Sequence, residues 1–253
     1  MEKIVERITH GPVVELKLAR PPVNALDPTL CNGLATAISE TVDAGAQAIV
    51  LSGGPKVFSA GLDVPFLLGL GNERAALTAA WESFFAAARA IAACPVPIAA
   101  AIAGHAPAGG CVLALVCDYR VMARGPFRIG LNETQVGLVA PEGIQALMRR
   151  IVGPHRAERL LVGGEMVESE QALAIGLVDE LTDIEEVPTR ARAWVEQLLV
   201  LPRQPMLQTR AIARAEVIAA LEPERIQLPR FIDAWTAPDT QAGLRALIAR
   251  LGK

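Results

Sequence analysis

Near the start of the chain, residues 3–8 and 12–18 alternate apolar and polar positions on either side of His10-Gly11-Pro12. Alternation buries one side of each segment and leaves the other in water, so the pattern predicts a β-hairpin. Pro21-Pro22 ends it. Asp27-Pro28 is a capping residue followed by proline at the first helical position, which predicts a helix from there to about Asp43. Ala48-Ile49-Val50-Leu51, Pro97 to Ala103 and Tyr119 to Ala123 are short, continuously apolar runs, as expected of buried strands. Asn72 to Ala93 places Trp81, Phe84, Phe85 and Ile91 on or near one helical face. Ala108-Gly109-Gly110 opens an apolar helix through Cys117. Helices are expected over 141–151, 154–163 and 168–174, with a strand from Leu177 to Leu181.

The order is strand, helix, strand, helix, with short connections. It predicts an α/β fold with parallel pairing. Strand signals stop near residue 184. Ile184 to Leu201 and Pro205 to Ala220 read as helices, and further helices begin near Pro223 and near Ala237. Their apolar faces have no sheet left to cover, so this tail is expected to fold back on the core or to pack against another subunit. The organisation expected is a core over residues 1–184 and a helical C-terminal region over 185–253.

Composition narrows the function. Of the 253 residues, 52% are hydrophobic and 20% charged, which supports a sizeable core and argues against disorder. The net charge is −3 and no basic tract stands out, so nucleic acid is not an expected partner. Cys31, Cys94, Cys111 and Cys117 form no CxxC pair and have no histidine cluster beside them, so reduced buried thiols are expected and a metal site is not. Ala90 to Cys117 contains no Asp, Glu, Lys or Arg, long enough to mimic a membrane span. Pro95, Pro97, Pro107, Gly104, Gly109 and Gly110 interrupt it, and a strand, a turn and a buried helix account for it better. The charges within Met1-Glu2-Lys3-Ile4-Val5-Glu6-Arg7 stand where a signal peptide needs an apolar run, so a cytoplasmic location is expected.

Two glycine turns carry the candidate chemistry. They are Phe58-Ser59-Ala60-Gly61-Leu62-Asp63 and Ala106-Pro107-Ala108-Gly109-Gly110-Cys111. Glycine lets backbone N–H groups approach a ligand with no Cβ in the way. Two such turns can hold one oxyanion between two amides, and a helix N-terminus favours developing negative charge. Glu133, within Gly130-Leu131-Asn132-Glu133-Thr134-Gln135, sits among mostly apolar residues. A carboxylate in an apolar cleft has a raised pKa and becomes a usable base near neutrality. Each feature also has a bland reading: a loop whose Asp63 caps a helix, close strand–helix packing, and a solvated loop glutamate. Asn132 either orients a ligand carbonyl or makes a turn. His105 lies near the second turn, where a structural role is expected. His10 and His155 are expected in a hairpin turn and at a helix start, and Lys56 is either a phosphate contact or a solvated lysine.

Taken together, these features resemble the crotonase (enoyl-CoA hydratase/isomerase) superfamily. The resemblance runs from Pro21-Pro22-Val23-Asn24-Ala25-Leu26 through both turns to the helical tail. Pro107-Ala108-Gly109-Gly110-Cys111, continuing to Cys117-Asp118-Tyr119-Arg120, and Gly130-Leu131-Asn132-Glu133-Thr134-Gln135-Val136-Gly137 are similar to the mitochondrial-type Δ3,Δ2-enoyl-CoA isomerases. The resemblance implies a crotonase-like ββα spiral core with a C-terminal helical oligomerisation region, and a homotrimer or hexamer. It implies that the amides of Leu62 and Gly109 hold the thioester oxygen and that Glu133 is the base. Backbone atoms around Ala60, Gly61 and Asp63 would bind coenzyme A, which enters as part of an acyl-CoA substrate with no further cofactor.

One departure bears on the reaction. Hydratases of the family carry a second glutamate three residues after the oxyanion glycine, and here that position is Val112. Adding water benefits from two carboxylates, whereas moving a double bond needs one base that takes a proton from C2 and returns it at C4. The expected activity is therefore a Δ3-to-Δ2 enoyl-CoA isomerase. The alternatives are a hydratase or other acyl-CoA lyase, for which Glu142 could supply the missing acid, and a non-catalytic acyl-CoA-binding protein. Val112, Trp81, Phe84 and Phe85 are candidate walls of the acyl channel.

Overall fold

The structure, a computed structural model, describes residues 4–251. Lys3, the expected first residue of the leading strand, lies outside the described residues. β1 (Val5–His10) and β2 (Val13–Leu18) form the antiparallel hairpin. α1 (Pro28–Asp43) begins where the Asp27 carboxylate accepts the Leu30 N–H at 2.8 Å. There follow β3 (Ala48–Ser52), α2 (Val64–Gly69), α3 (Arg74–Ala92) and β4 (Ile98–Ile102). Next come β5 (Ala106–Pro107), α4 (Gly109–Leu115), β6 (Tyr119–Ala123) and β7 (Arg128–Gly130). A 3₁₀ turn over Glu133–Val136 leads to α5 (Glu142–Val152), α6 (Pro154–Gly163), β8 (Val167–Glu168), α7 (Ser169–Ala174) and β9 (Glu180–Thr182). The rest is helical: α8 (Val187–Leu199), α9 (Arg203–Ala213), α10 (Ala215–Ala220), α11 (Pro223–Ile226), α12 (Leu228–Trp235) and α13 (Pro238–Leu251).

Two sheets result. The larger has the order β1-β2-β3-β4-β6-β9 and is parallel beyond the first hairpin. The smaller has the order β5-β7-β8. The chain winds between them: β4 is followed by β5 and α4, and β6 by β7 and α5. This is the ββα spiral that the resemblance implies. The short elements α2, β5, β7 and β8 had no pattern long enough to be read from periodicity.

The central strands of the large sheet, β3, β4 and β6, are buried on both faces. Ile49, Leu51, Ile98, Ala100 and Ile102 join the core under α1, α3 and α4. Their alternates Ala48, Val50, Ala99, Ala101, Val121 and Ala123 form a second core with Val187, Ala191 and Val195 of α8. The expectation that the tail has no sheet to cover is thus corrected for α8. A parallel sheet needs cover on both faces, and the short side chains of that second face let α8 lie close. Tyr119 of β6 stacks on Trp194 of α8 with ring centroids 4.5 Å apart.

Two other expectations shift. The strand expected from Leu177 starts only at Glu180, because the N–H groups of Leu177 and Val178 are both taken by the Ala172 carbonyl. The helix expected over Pro205–Ala220 breaks at Arg214, whose side chain turns inward. Arg214 donates to the Val116 carbonyl at 2.6 Å and pairs with Asp118 at 3.0 Å. Asp118 also accepts two hydrogen bonds from Arg210, at 2.9 and 2.8 Å, and the Ile98 N–H at 2.7 Å. Burial lowers the Arg214 pKa, and the Asp118 charge opposes that shift. One buried carboxylate thus fastens α9 and α10 to the loop that enters β6. Asp118→Ala leaves two guanidiniums without their counter-charge. We expect it to cost about 3–5 kcal/mol in chemical denaturation; a loss under 1 kcal/mol would show that the helical tail is held by apolar packing alone.

Candidate active site

The small sheet assembles the site. Val57 bridges His105 in parallel, and β5 runs parallel to β7 with Pro107 opposite Gly130. Three segments therefore leave the sheet at the same end: the first glycine turn, the second glycine turn, and Leu131-Asn132-Glu133. Hydrogen bonds fix the register. Phe58 N–H donates to the His105 carbonyl, and Ala108 N–H to the Gly130 carbonyl.

A brace holds the first turn from below. The Asn24 amide donates to the Phe58 carbonyl at 3.0 Å, and the Ser59 hydroxyl donates to the Asn24 carbonyl at 2.8 Å. Leu26 N–H donates to the Gly61 carbonyl, and Asp63 N–H to the Leu26 carbonyl. The Leu62 N–H between these ladder positions has no acceptor among the described residues. The motif from Pro21 to Leu26 is therefore the support of the first turn.

The two turns touch. Gly61 has φ +80°, and a Cβ built there would stand 3.1 Å from the Gly109 nitrogen. A Cβ on Gly109 would meet the Leu62 side chain at 2.8 Å and the Gly61 Cα at 3.3 Å. Ala108, just before, is held at φ +46°, a region that residues with a Cβ rarely occupy. Its N–H is tied to Gly130, and its carbonyl accepts the Val112 N–H that starts α4. The strain is thus fixed from both sides. Gly109 is the first residue of α4, and its N–H also has no acceptor among the described residues. Two free amides, of Leu62 and Gly109, stand on facing turns.

A cavity of about 290 Å³ opens beside them. Ala60, Leu62, Gly109, Val112, Asn132 and Glu133 all line it, as do Trp81, Phe84 and Phe85. Gly61 and Asp63 do not: Gly61 lies behind Gly109, and Asp63 caps α2 and pairs with Arg20 at 2.8 Å. Glu133 is the one titratable side chain of the lining among the described residues. Its Oε2 is buried with no partner, as is Oδ1 of Asn132. Burial raises the Glu133 pKa from 4.5 to about 7, opposed only by a hydrogen bond from its own backbone N–H. That places half-ionisation at neutral pH.

Other candidates fall elsewhere. Glu142 faces away from this cavity, is half exposed, and pairs with Arg149 at 3.2 Å and Arg225 at 3.6 Å. His105 accepts the Arg128 N–H at its Nδ1 and packs edge-on against Phe127, a structural role. Lys56 is exposed. All four cysteines are buried and unpaired. No helix among the described residues is long and apolar enough to cross a membrane.

The C-terminal helices complete the walls. Phe231 and Trp235 of α12 and Leu244 and Leu247 of α13 line the same cavity. Trp81 meets Phe231 at a ring-centroid distance of 4.4 Å and Trp235 at 5.6 Å. The aromatic stripe of α3 is at once core and cavity wall. The i, i+4 spacing of Phe231 and Trp235 was the available signal for their part in it.

Comparison with known proteins identifies the family. A family profile described as enoyl-CoA hydratase/isomerase matches residues 9–246. The human mitochondrial enoyl-CoA delta isomerase 1 is 30% identical over 252 residues, covering 98% of this chain and 83% of that protein. A probable enoyl-CoA hydratase of Mycobacterium tuberculosis, EchA17, is 34% identical over 213 residues, covering 81% of this chain and 80% of its own length. The crystal structure of human mitochondrial Δ3,Δ2-enoyl-CoA isomerase superposes with a TM-score of 0.92 at 29% identity, covering 98% of both chains. The chain belongs to the enoyl-CoA hydratase/isomerase family, the crotonase superfamily, whose enzymes act on coenzyme A thioesters without an additional cofactor.

Proposed function

We propose that this protein is a Δ3,Δ2-enoyl-CoA isomerase that works with a single carboxylate. Similarity alone does not choose the reaction, since the human isomerase and the mycobacterial hydratase are 30% and 34% identical to this chain. The observation that carries the reading is the solitary Glu133 in an otherwise apolar cavity beside two free amides. The thioester oxygen would accept from the Leu62 and Gly109 N–H groups, and backbone around Ala60 to Asp63 would meet the coenzyme. Glu133 takes a proton from C2. The electrons of that C–H bond move into a dienolate whose charge rests on the oxygen between the amides. Each such donor contributes about 2.7–4 kcal/mol of transition-state stabilisation. Glu133, now protonated, returns the proton at C4, and the double bond ends between C2 and C3. A pKa near 7 suits a group that acts first as base and then as acid. Val112, 2% exposed, fills the place of a second acid, and the apolar lining excludes the water that hydration needs.

Glu133→Gln is expected to lower the rate of 3-enoyl-CoA isomerisation at least about 10³-fold, at the upper part of the usual range for acid–base groups. Circular dichroism and acyl-CoA affinity should stay unchanged. Retained activity, or wild-type hydration of a 2-enoyl-CoA as fast as isomerisation, would reject the single-base reading.

The active form of Glu133 is the ionised one. Its pKa of about 7 therefore predicts kcat/KM that is flat above pH 7 and falls tenfold per pH unit below it. A profile still flat at pH 5.5 would mean that the base is an unperturbed carboxylate.

We also propose that the chain assembles as a trimer or a dimer of trimers. What supports this is the resemblance to the family, with Val200, Leu201 and Ile212 at the two ends of α9 being 83%, 47% and 79% exposed. Sedimentation at micromolar concentration is expected to give a multiple of three chains; a monomer there counts against it.

A further inference from the structure

A second cavity of about 350 Å³ lies against the first. Apolar wall comes from Val139, Ala140, Ile226 and Ala234, and polar wall from Glu142, Gln145, Arg225, Gln227 and Arg230. Two residues line both spaces: Pro141, at the entrance to α5, and Phe231 of α12. On α5, Ile144 faces the first cavity while Glu142 and Gln145 face the second. On α12, Trp235 faces the first and Ala234 the second. The partition is therefore one pyrrolidine ring and one phenyl ring thick. Phe231 is 6% exposed and is steadied by its edge-on contact with Trp81.

At about 290 Å³ the first cavity is at the small end for ligand sites. It has to hold the thioester, the reacting carbons next to Glu133 and whatever tail follows. Val112, Phe84, Phe85 and Trp235 are each almost fully buried, so those walls offer no way out. The partition with the second cavity is the thin side.

We propose that Phe231, with Pro141, gates the acyl space, and that the tail of a longer acyl chain passes Phe231 into the second cavity. Phe231 then sets which chain lengths the protein accepts. This rests on reading the Glu133 cavity as an acyl-CoA site. A hydrocarbon tail suits the part of the second cavity lined by Val139, Ala140, Ile226 and Ala234. A short chain would end against Phe231 and leave the second cavity unused.

The test compares the wild type, Phe231→Ala, the gentler Phe231→Leu, and Ala234→Phe, which fills the second cavity from its own side. Affinities for hexanoyl-CoA and dodecanoyl-CoA are measured by calorimetry, and kcat/KM with the corresponding 3-enoyl-CoAs. Opening the gate should raise the dodecanoyl-to-hexanoyl affinity ratio at least about tenfold, the effect of burying roughly two further methylenes. Ala234→Phe should lower that ratio. If all variants change both ligands by the same factor, the second cavity takes no tail and the proposal fails. If the affinity ratios shift as expected but no 3-enoyl-CoA is turned over, the gate stands and the isomerase assignment falls. If neither acyl-CoA binds the wild type, both fall.

Discussion

No side chain fits between the two glycine turns, and the rest of the site follows from that contact. Gly61 at φ +80° presents its Cα to Gly109, and a Cβ at either position would press on the other turn. The approach sets two main-chain donors on facing loops. Neither loop is positioned by its own sequence. The first is braced by Asn24, Leu26 and the Val57–His105 bridge, and the second by β7, whose end leads on to Glu133. A three-stranded sheet whose strands are two or three residues long thus does the positioning, while the six-stranded sheet supplies the bulk that keeps it in place.

Glu133 is the cost of that arrangement. Raising a carboxyl pKa from 4.5 to about 7 means that its ionised form is disfavoured by on the order of 3 kcal/mol relative to water. Above pH 7 the folded state carries that burden in full. As pH falls, Glu133 takes up its proton at about pH 7, while the unfolded chain does so only near pH 4.5, so the penalty fades between those values. A second buried carboxylate would add a like charge and raise the burden further. The apolar lining therefore does two things: it holds the Glu133 pKa near neutrality, and it surrounds that group with no second carboxylate among the described residues.

Much of this was legible in the chain. Asp27-Pro28 marked the start of α1, and the apolar runs marked β3, β4 and β6. The two turns and Glu133 pointed to their own association. What stayed hidden was hidden for physical reasons. The strands of the small sheet carry no period because they are too short to have one. The cover that α8 gives the large sheet depends on which face α1, α3 and α4 leave bare, and a linear pattern does not show that. Nothing local marks Arg210 and Arg214 as buried, because Asp118, which draws them inward, lies about ninety residues earlier. Phe231 and Trp235 carried an amphipathic spacing but no indication that their partner would be the aromatic face of α3.

The positions of Val112 and Glu142 connect the fold to the choice of reaction. Val112 occupies the second turn of α4, one helical turn beyond Gly109, so its side chain reaches the same cavity as the two amides. An acid there would share the cavity with Glu133. Glu142 is on a different element, and its helix is fixed by the burial of Gly143 against the Ala220 carbonyl, where a Cβ would stand only 1.7 Å away. That packing locks the rotation of α5. Ile144 then faces the cavity that holds Glu133, and Glu142 faces Arg149 and Arg225. Turning Glu142 inward would require lifting α5 off α10, and it would break both ion pairs. In this chain a second acid is therefore excluded twice, once by the residue on α4 and once by the close approach of two helices, and the cavity is left with a single carboxylate.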